Sequence, residues 1–182
     1  MSTPSLAVAA AAAAVALGLC STVAMAQSPG LGKPISEADI KAWNIDVLPD
    51  GTGLPPGKGT AAQGAKVYLD KCAACHKPDG TGGGAPGAGP VVGAPPLSGG
   101  IETAKTIANF WGHATTLFDF IRRAMPFQQP RTLTDDEVYA LCAYLLSLNK
   151  IIPESEVMDA QSLPKVKMPN RDNFIIRFPD RI

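Results

Sequence analysis

Two cysteines and a histidine stand within five residues of this chain, in the sequence Cys72-Ala-Ala-Cys75-His76. The segment that follows, KPDGTGGGAPGAGPVVGAPPLSGG, is so rich in glycine and proline that neither a helix nor a strand can persist through it. The chain must therefore fold a long irregular loop over a rigid object beside the cysteine pair. Two thiols and one imidazole at this spacing could serve a redox disulfide, a zinc site or covalent haem attachment. Whether the protein is exported to an oxidising compartment helps to decide among these.

The first 26 residues predict that the protein is exported. They contain no Lys, Arg, Asp or Glu and end in Ala24-Met25-Ala26, small residues of the kind that signal peptidase accepts. We expect cleavage before Gln27 and a periplasmic mature protein without stable membrane insertion. The alternative is an uncleaved anchor helix, because the apolar run approaches the ~20 residues that a membrane span needs.

After that cleavage three cysteines remain, Cys72, Cys75 and Cys142, and an odd number cannot all pair in an oxidising compartment. A redox CxxC normally occurs with a βαβ pattern, which this sequence lacks, and His113 and Cys142 are not spaced as a second pair of zinc ligands. CxxCH is the recognised signature of covalent haem attachment. It predicts one haem c, bound through Cys72 and Cys75, with His76 as the proximal ligand of the iron.

The segments around the motif predict helices. Upstream, TAAQGAKVYLDK has apolar residues at helical spacing, including Tyr68, and places Gly64 where another helix could approach closely. Downstream, Thr134 and Glu137 form a capping box at the start of TDDEVYALCAYLLSL. Cys142 lies within this second helix, where we expect a buried and unreactive thiol. The apolar face of that helix consists of Val138, Leu141, Leu145 and Leu148.

Together these features resemble the class I c-type cytochromes. In that family a helix with a glycine and an aromatic residue four positions later, here Gly64 and Tyr68, precedes CxxCH. A P-x-L-x-G stretch, here Pro95-Pro96-Leu97-Ser98-Gly99, a Met-Pro loop and a final amphipathic helix then follow. The resemblance implies an all-α class I cytochrome c fold, with few helices around one covalent haem and irregular extensions at both ends. It also implies that Tyr144 packs where the two helices cross.

The same resemblance implies contacts with the haem from the loop after the motif. Pro95 and Leu97 are the residues that would make them. The Pro95 carbonyl would also accept a hydrogen bond from Nδ1 of His76, which fixes the tautomer and the ring orientation of that ligand. Pro90 is the alternative for this role, although no leucine follows it two residues later.

Met125 is the distal iron ligand that the resemblance implies, because it precedes a proline between the motif and the final helix. Two alternatives remain. Met168 also precedes a proline but follows the final helix, and His113 would give a bis-histidine site. One of the adjacent Arg122 and Arg123 could pair with a haem propionate, because a guanidinium group binds a carboxylate through two hydrogen bonds.

The chain is thus predicted to have four parts. These are a signal peptide at 1–26, an N-terminal extension at 27–58, a cytochrome c domain at 59–149 and a C-terminal extension at 150–182. Both extensions are rich in proline or glycine, yet they contain Trp43, Ile45 and Phe174, which free tails do not favour. We expect the extensions to wrap the core or to dock on a partner.

These extensions, with ATTLFDFIRRAMPF and LTDDEVYALCAYLLSLN, resemble the cytochrome subunits that accompany Sox/Sor-type molybdenum-containing sulfite or sulfane dehydrogenases. That resemblance implies single-electron transfer from such a dehydrogenase to a further cytochrome or oxidase, with no catalytic residue in this chain. Acidic and basic residues balance at 16 each, so no strong field attracts nucleic acid. The alternatives are a general diffusible carrier and, in another class, a haem enzyme or gas sensor with an open distal site.

Overall fold

The computed structural model describes residues 30–93 and 103–174. The signal peptide predicted for residues 1–26 lies outside this part of the chain, as do Pro95 and Leu97. No helix within the described part is long and apolar enough to cross a membrane.

The chain divides into two compact units, residues 1–40 and 41–182. The described part of the first unit holds the start of helix α1, Glu37–Trp43. Ser36 caps this helix, because its hydroxyl accepts a hydrogen bond from the Asp39 N–H at 3.2 Å and donates one to the Asp39 carboxylate.

The second unit is mainly helical. In chain order it contains β1 (Lys58–Thr60), α2 (Ala61–Lys71), α3 (Ala73–His76), α4 (Ala114–Ala124), α5 (Asp135–Leu148) and β2 (Val157–Asp159), with 3₁₀ turns at Leu163–Lys165 and Arg171–Asn173. The two short strands pair antiparallel, with Gly59 opposite Met158. The helices agree with the predicted all-α class, whereas the small sheet was not predicted.

Capping boxes start helices α2 and α5. Thr134 accepts a hydrogen bond from the Glu137 N–H at 3.2 Å and donates its own N–H to the Glu137 carboxylate at 2.8 Å, which confirms the predicted box. Thr60 and Gln63 form the same reciprocal pair at the start of α2. Lys71, at the end of α2, contacts Glu137 at 2.7 Å, and this hydrogen bond is the main cause that holds the pKa of Glu137 below its usual value.

Helices α2 and α5 cross in close contact at Gly64, as predicted. A Cβ atom on Gly64 would overlap the carbonyl oxygen of Ala140 and lie 2.7 Å from Cβ of Tyr144. The rings of Tyr68 and Tyr144 pack at the same crossing, with 5.3 Å between their centroids. Because α2 ends directly before Cys72, this contact fixes where the CxxCH motif begins.

Replacing Gly64 with alanine is expected to lower the free energy of unfolding of the haem-loaded protein by about 1–3 kcal/mol or more, because the helices must separate to admit the methyl group. Chemical denaturation measures this loss. Ala62→Ser, on the exposed side of the same helix, is the matched control and should change stability by no more than about 0.5 kcal/mol. Equal losses in the two variants would contradict the close crossing.

Parts of both extensions wrap the helical core. The Tyr139 hydroxyl donates to the Pro55 carbonyl at 2.8 Å, and the Thr115 hydroxyl donates to the Pro49 carbonyl at 3.3 Å. From the C-terminal side, the Asn170 side chain donates to a backbone carbonyl at 2.7 Å. Several fully buried core residues come from different parts of the chain: Leu117, Phe118, Tyr139, Leu146, Met158, Leu163 and Met168.

Candidate haem attachment site

The CxxCH motif forms a single turn of helix. The Cys72 N–H donates to the Tyr68 carbonyl at 2.9 Å, which ends α2, and the Cys72 carbonyl accepts from the N–H groups of Cys75 at 3.1 Å and His76 at 3.0 Å. Residues three apart share one face of a helix, so the two thiols lie on the same side of this turn. Cys75 is exposed and Cys72 is half-buried, where burial raises the pKa of its thiol to about 11.

The imidazole of His76 is oriented by a backbone carbonyl. Its Nδ1 lies 3.0 Å from the carbonyl oxygen of Gly89 and donates a hydrogen bond to it. A neutral imidazole with Nδ1–H engaged keeps Nε2 as the nitrogen that can bind a metal. This is the tautomer that a proximal iron ligand requires.

The acceptor predicted for this hydrogen bond was the Pro95 carbonyl, and that prediction was wrong. The glycine-rich loop turns back early: the Gly83 N–H donates to the Ala88 carbonyl at 2.7 Å. The chain therefore reaches His76 at Gly89, directly before the alternative candidate Pro90. The contacts that Pro95 and Leu97 were predicted to make with a haem lie outside the described residues.

The glycine loop lies directly on the motif turn. The Gly84 N–H donates to the Cys75 carbonyl at 2.9 Å, and the Gly82 N–H donates to the His76 carbonyl at 3.0 Å. A Cβ atom on Gly84 would come within 2.5 Å of the Ala74 carbonyl oxygen. Only glycine permits this close approach. The glycines therefore allow the loop to hydrogen-bond to the motif turn and to hold the two thiols and the imidazole in place.

The described methionines differ in how their side chains are used. Met158 and Met168 are 0% and 1% exposed, so both are core residues. Met125 ends α4, where its N–H donates to the Ile121 carbonyl at 3.1 Å, and its side chain is only partly buried against the core. Of the two candidates, Met125 is therefore the one whose sulfur the core does not enclose, and its role as distal ligand remains a prediction.

His113, the alternative distal ligand, directly precedes α4. Burial, with a smaller contribution from the nearby Arg171, lowers the pKa of His113. The adjacent arginines are already engaged by protein carboxylates: Arg122 contacts Asp135 at 3.1 Å, and Arg123 contacts Asp46 at 2.8 Å. A haem propionate would have to compete with these partners for either guanidinium group.

Sequence reasoning missed two supports of the site. The Tyr68 hydroxyl donates to the Lys77 carbonyl at 2.9 Å and so joins α2 to the residue after the motif. Asn149, at the end of α5, donates its side-chain amide to the Val91 carbonyl at 3.1 Å. A tyrosine at the family's aromatic position was a usable signal for the first, whereas no sequence pattern indicated the second.

The residues present fit a covalent haem c. Two thiols on one face of a helical turn can both form thioethers, and an imidazole with Nδ1 engaged offers Nε2 to iron. Several apolar side chains are only partly buried against the core, among them Val91, Trp111, Met125 and Leu133.

Comparisons with known proteins agree with this donor set. The family profile described as Cytochrome c matches residues 61–149. Among solved structures, the sulfane dehydrogenase SoxCD from Paracoccus pantotrophus is similar with a TM-score of 0.73 and 33% identity, over 84% of this chain and 73% of that chain. A thiosulfate dehydrogenase from Stutzerimonas stutzeri (strain A1501) is 31% identical over 123 residues. That match takes in 65% of this chain and 36% of the relative, so the chain spans about a third of the relative's length.

Proposed function

Because the chain belongs to the cytochrome c family, we propose that it is a periplasmic monohaem electron carrier that serves a molybdenum-containing sulfite or sulfane dehydrogenase. The family and the class I fold predicted from the sequence are thereby confirmed. The observation that carries the proposal is that the similarity to SoxCD extends over 84% of the chain, well beyond the haem-attachment segment. The electrons would pass on to a further cytochrome or oxidase.

In this proposal each site residue has one task. Bound haem c supplies a one-electron ferric–ferrous couple. Cys72 and Cys75 would hold it covalently, and Nε2 of His76 would bind the iron while the Gly89 carbonyl holds the ring. Met125 would supply a thioether ligand, which raises the reduction potential relative to a second imidazole. Pro95 and Leu97 complete the proposed set of haem contacts.

The relative named thiosulfate dehydrogenase supports a second candidate, in which a thiosulfate-oxidising enzyme donates the electrons. Mixing the oxidised protein with each purified dehydrogenase and its substrate, in a stopped-flow spectrometer, separates the candidates. We expect rapid reduction by the sulfite or sulfane dehydrogenase and slow reduction by the other. Equal rates with both enzymes and with unrelated donors would instead support the general diffusible carrier.

Exposed apolar side chains near the N-terminus are the proposed contact with the dehydrogenase. Trp43 and Leu48 are 75% and 50% exposed. Large exposed apolar residues that cluster along a chain commonly mark binding surfaces. Residues 46–55, in contrast, are bound to helices α4 and α5 through Asp46, Pro49 and Pro55.

The double variant Trp43→Ser, Leu48→Ser is expected to slow reduction by the dehydrogenase by about tenfold or more, because an exposed tryptophan commonly anchors an interface. The haem spectrum and the melting temperature should stay unchanged. Leu69→Ser removes an apolar side chain that is 59% exposed from α2 and is the matched control. Wild-type rates in the double variant, or an equal loss in the control, would refute this docking surface.

A further inference from the structure

Val91, two residues after the Gly89 that orients His76, is held by hydrogen bonds on two sides. The N–H groups of Val91 and Val92 both donate to the Gly80 carbonyl, at 2.9 and 3.1 Å. On its other side, the Val91 carbonyl accepts the Asn149 side-chain amide at 3.1 Å. Val91 is therefore held from within the glycine loop and from the end of α5.

The Asn149 amide is bound only through its donors. Nδ2 donates to the Val91 carbonyl and, at 2.8 Å, to the Leu145 carbonyl of the last turn of α5. Because both neighbours are carbonyl oxygens, the opposite amide orientation would place oxygen against oxygen, so this orientation is fixed. Within residues 30–93 and 103–174, Oδ1 of Asn149 is the buried side-chain polar atom that lacks a hydrogen-bond partner. The amide thus joins the helix end to the loop at the cost of an unpaired oxygen.

We propose that Asn149 is a positioning residue for the axial histidine and thereby sets the reduction potential of the bound haem. Only Pro90, whose ring fixes φ, separates the fastened Val91 from the Gly89 carbonyl that accepts the His76 hydrogen bond. A hydrogen bond from Nδ1–H to a well-placed carbonyl makes the imidazole more basic, which favours ferric iron. This inference rests on the proposed ligation of haem iron by His76.

The test uses Asn149→Leu and Asn149→Ala in the mature haem-loaded protein. These variants release the Val91 carbonyl, while the Val91 N–H keeps its bond to the Gly80 carbonyl. The looser segment should weaken the hydrogen bond between His76 and Gly89, so the reduction potential should rise. At a fixed ambient potential the ferrous-to-ferric ratio should increase by about threefold, since outer hydrogen-bond partners tune a metal site measurably. The NMR signal of the His76 Nδ1–H in the ferrous protein should also exchange faster with solvent.

Ser147→Ala is the matched control, because the Ser147 hydroxyl donates to the Tyr144 carbonyl at 2.9 Å at the same helix end. It should lower stability slightly and leave both the potential and the Nδ1–H exchange unchanged. Asn149 variants with an intact low-spin haem that behave like this control would overturn the inference, as would failure of both variants to mature. Absence of covalent haem from the wild-type protein would refute the proposed function instead.

Discussion

Replacing both Cys72 and Cys75 with serine is expected to abolish covalent haem attachment. A serine hydroxyl does not add to a haem vinyl group, and the short motif turn offers no other thiol, because Cys142 is buried within α5. The measurement is haem staining after denaturing electrophoresis of protein matured in an exporting host. The expected result is complete loss of stain at the position of the chain.

Cys142→Ala is the control for this experiment. Its side chain is 0% exposed, and burial raises the pKa of its thiol, so the thiol is both inaccessible and protonated at neutral pH. This variant should keep the full haem stain, although the small cavity it leaves lowers stability somewhat. Loss of covalent haem from Cys142→Ala, or haem that acid-acetone extracts from the wild-type protein, would contradict the assignment.

Met125→Ala is expected to remove the distal ligand. The ferric protein should lose the weak near-infrared sulfur-to-iron band, and its reduction potential should fall by roughly 0.1 V or more, because thioether ligation favours ferrous iron and axial ligands set haem potentials over ~0.8 V. Near-infrared absorption and a potentiometric titration measure both effects.

Met168→Leu is the matched control, since Met168 is fully buried and leucine conserves its volume. It should keep the near-infrared band and cost less than about 1.5 kcal/mol of stability. If Met168→Leu loses the band, the C-terminal extension supplies the ligand. If His113→Ala alone changes the low-spin spectrum, the site has two histidine ligands, and in either case the assignment of Met125 is wrong.

The sequence was most informative where its signals are local. The capping box depends on Thr134 and Glu137, three positions apart, and it has the predicted structure. Gly64 contacts a distant helix, but a glycine within a helical pattern is itself a local signal of close approach, and that prediction is also confirmed. The hydrogen-bond acceptor for His76 was not predicted correctly, because it depends on where a loop without side chains turns back. Composition identifies such a loop but does not determine its path, and the resemblance to P-x-L-x-G favoured Pro95 over Pro90, whereas the acceptor is the Gly89 carbonyl.

Contacts between distant parts of the chain were also beyond the sequence patterns. Gly59 and Met158 pair across the small sheet although 99 positions separate them, and three-residue strands are too short for a recognisable alternation. The sequence patterns likewise left open whether the two extensions wrap the helical core or dock on a partner protein. The structure binds Pro49 and Pro55 to the core and leaves Trp43 exposed, so one part of this extension wraps the core, whereas docking by the other part remains a proposal.

The most direct test of the one-haem electron carrier is an anaerobic reductive titration of the mature protein, with the absorbance of the haem as the readout. One covalent haem held by Cys72, Cys75 and His76 predicts the uptake of one electron per chain in a single one-electron step. Uptake of two electrons per chain, or a chain that takes up none, would contradict the account.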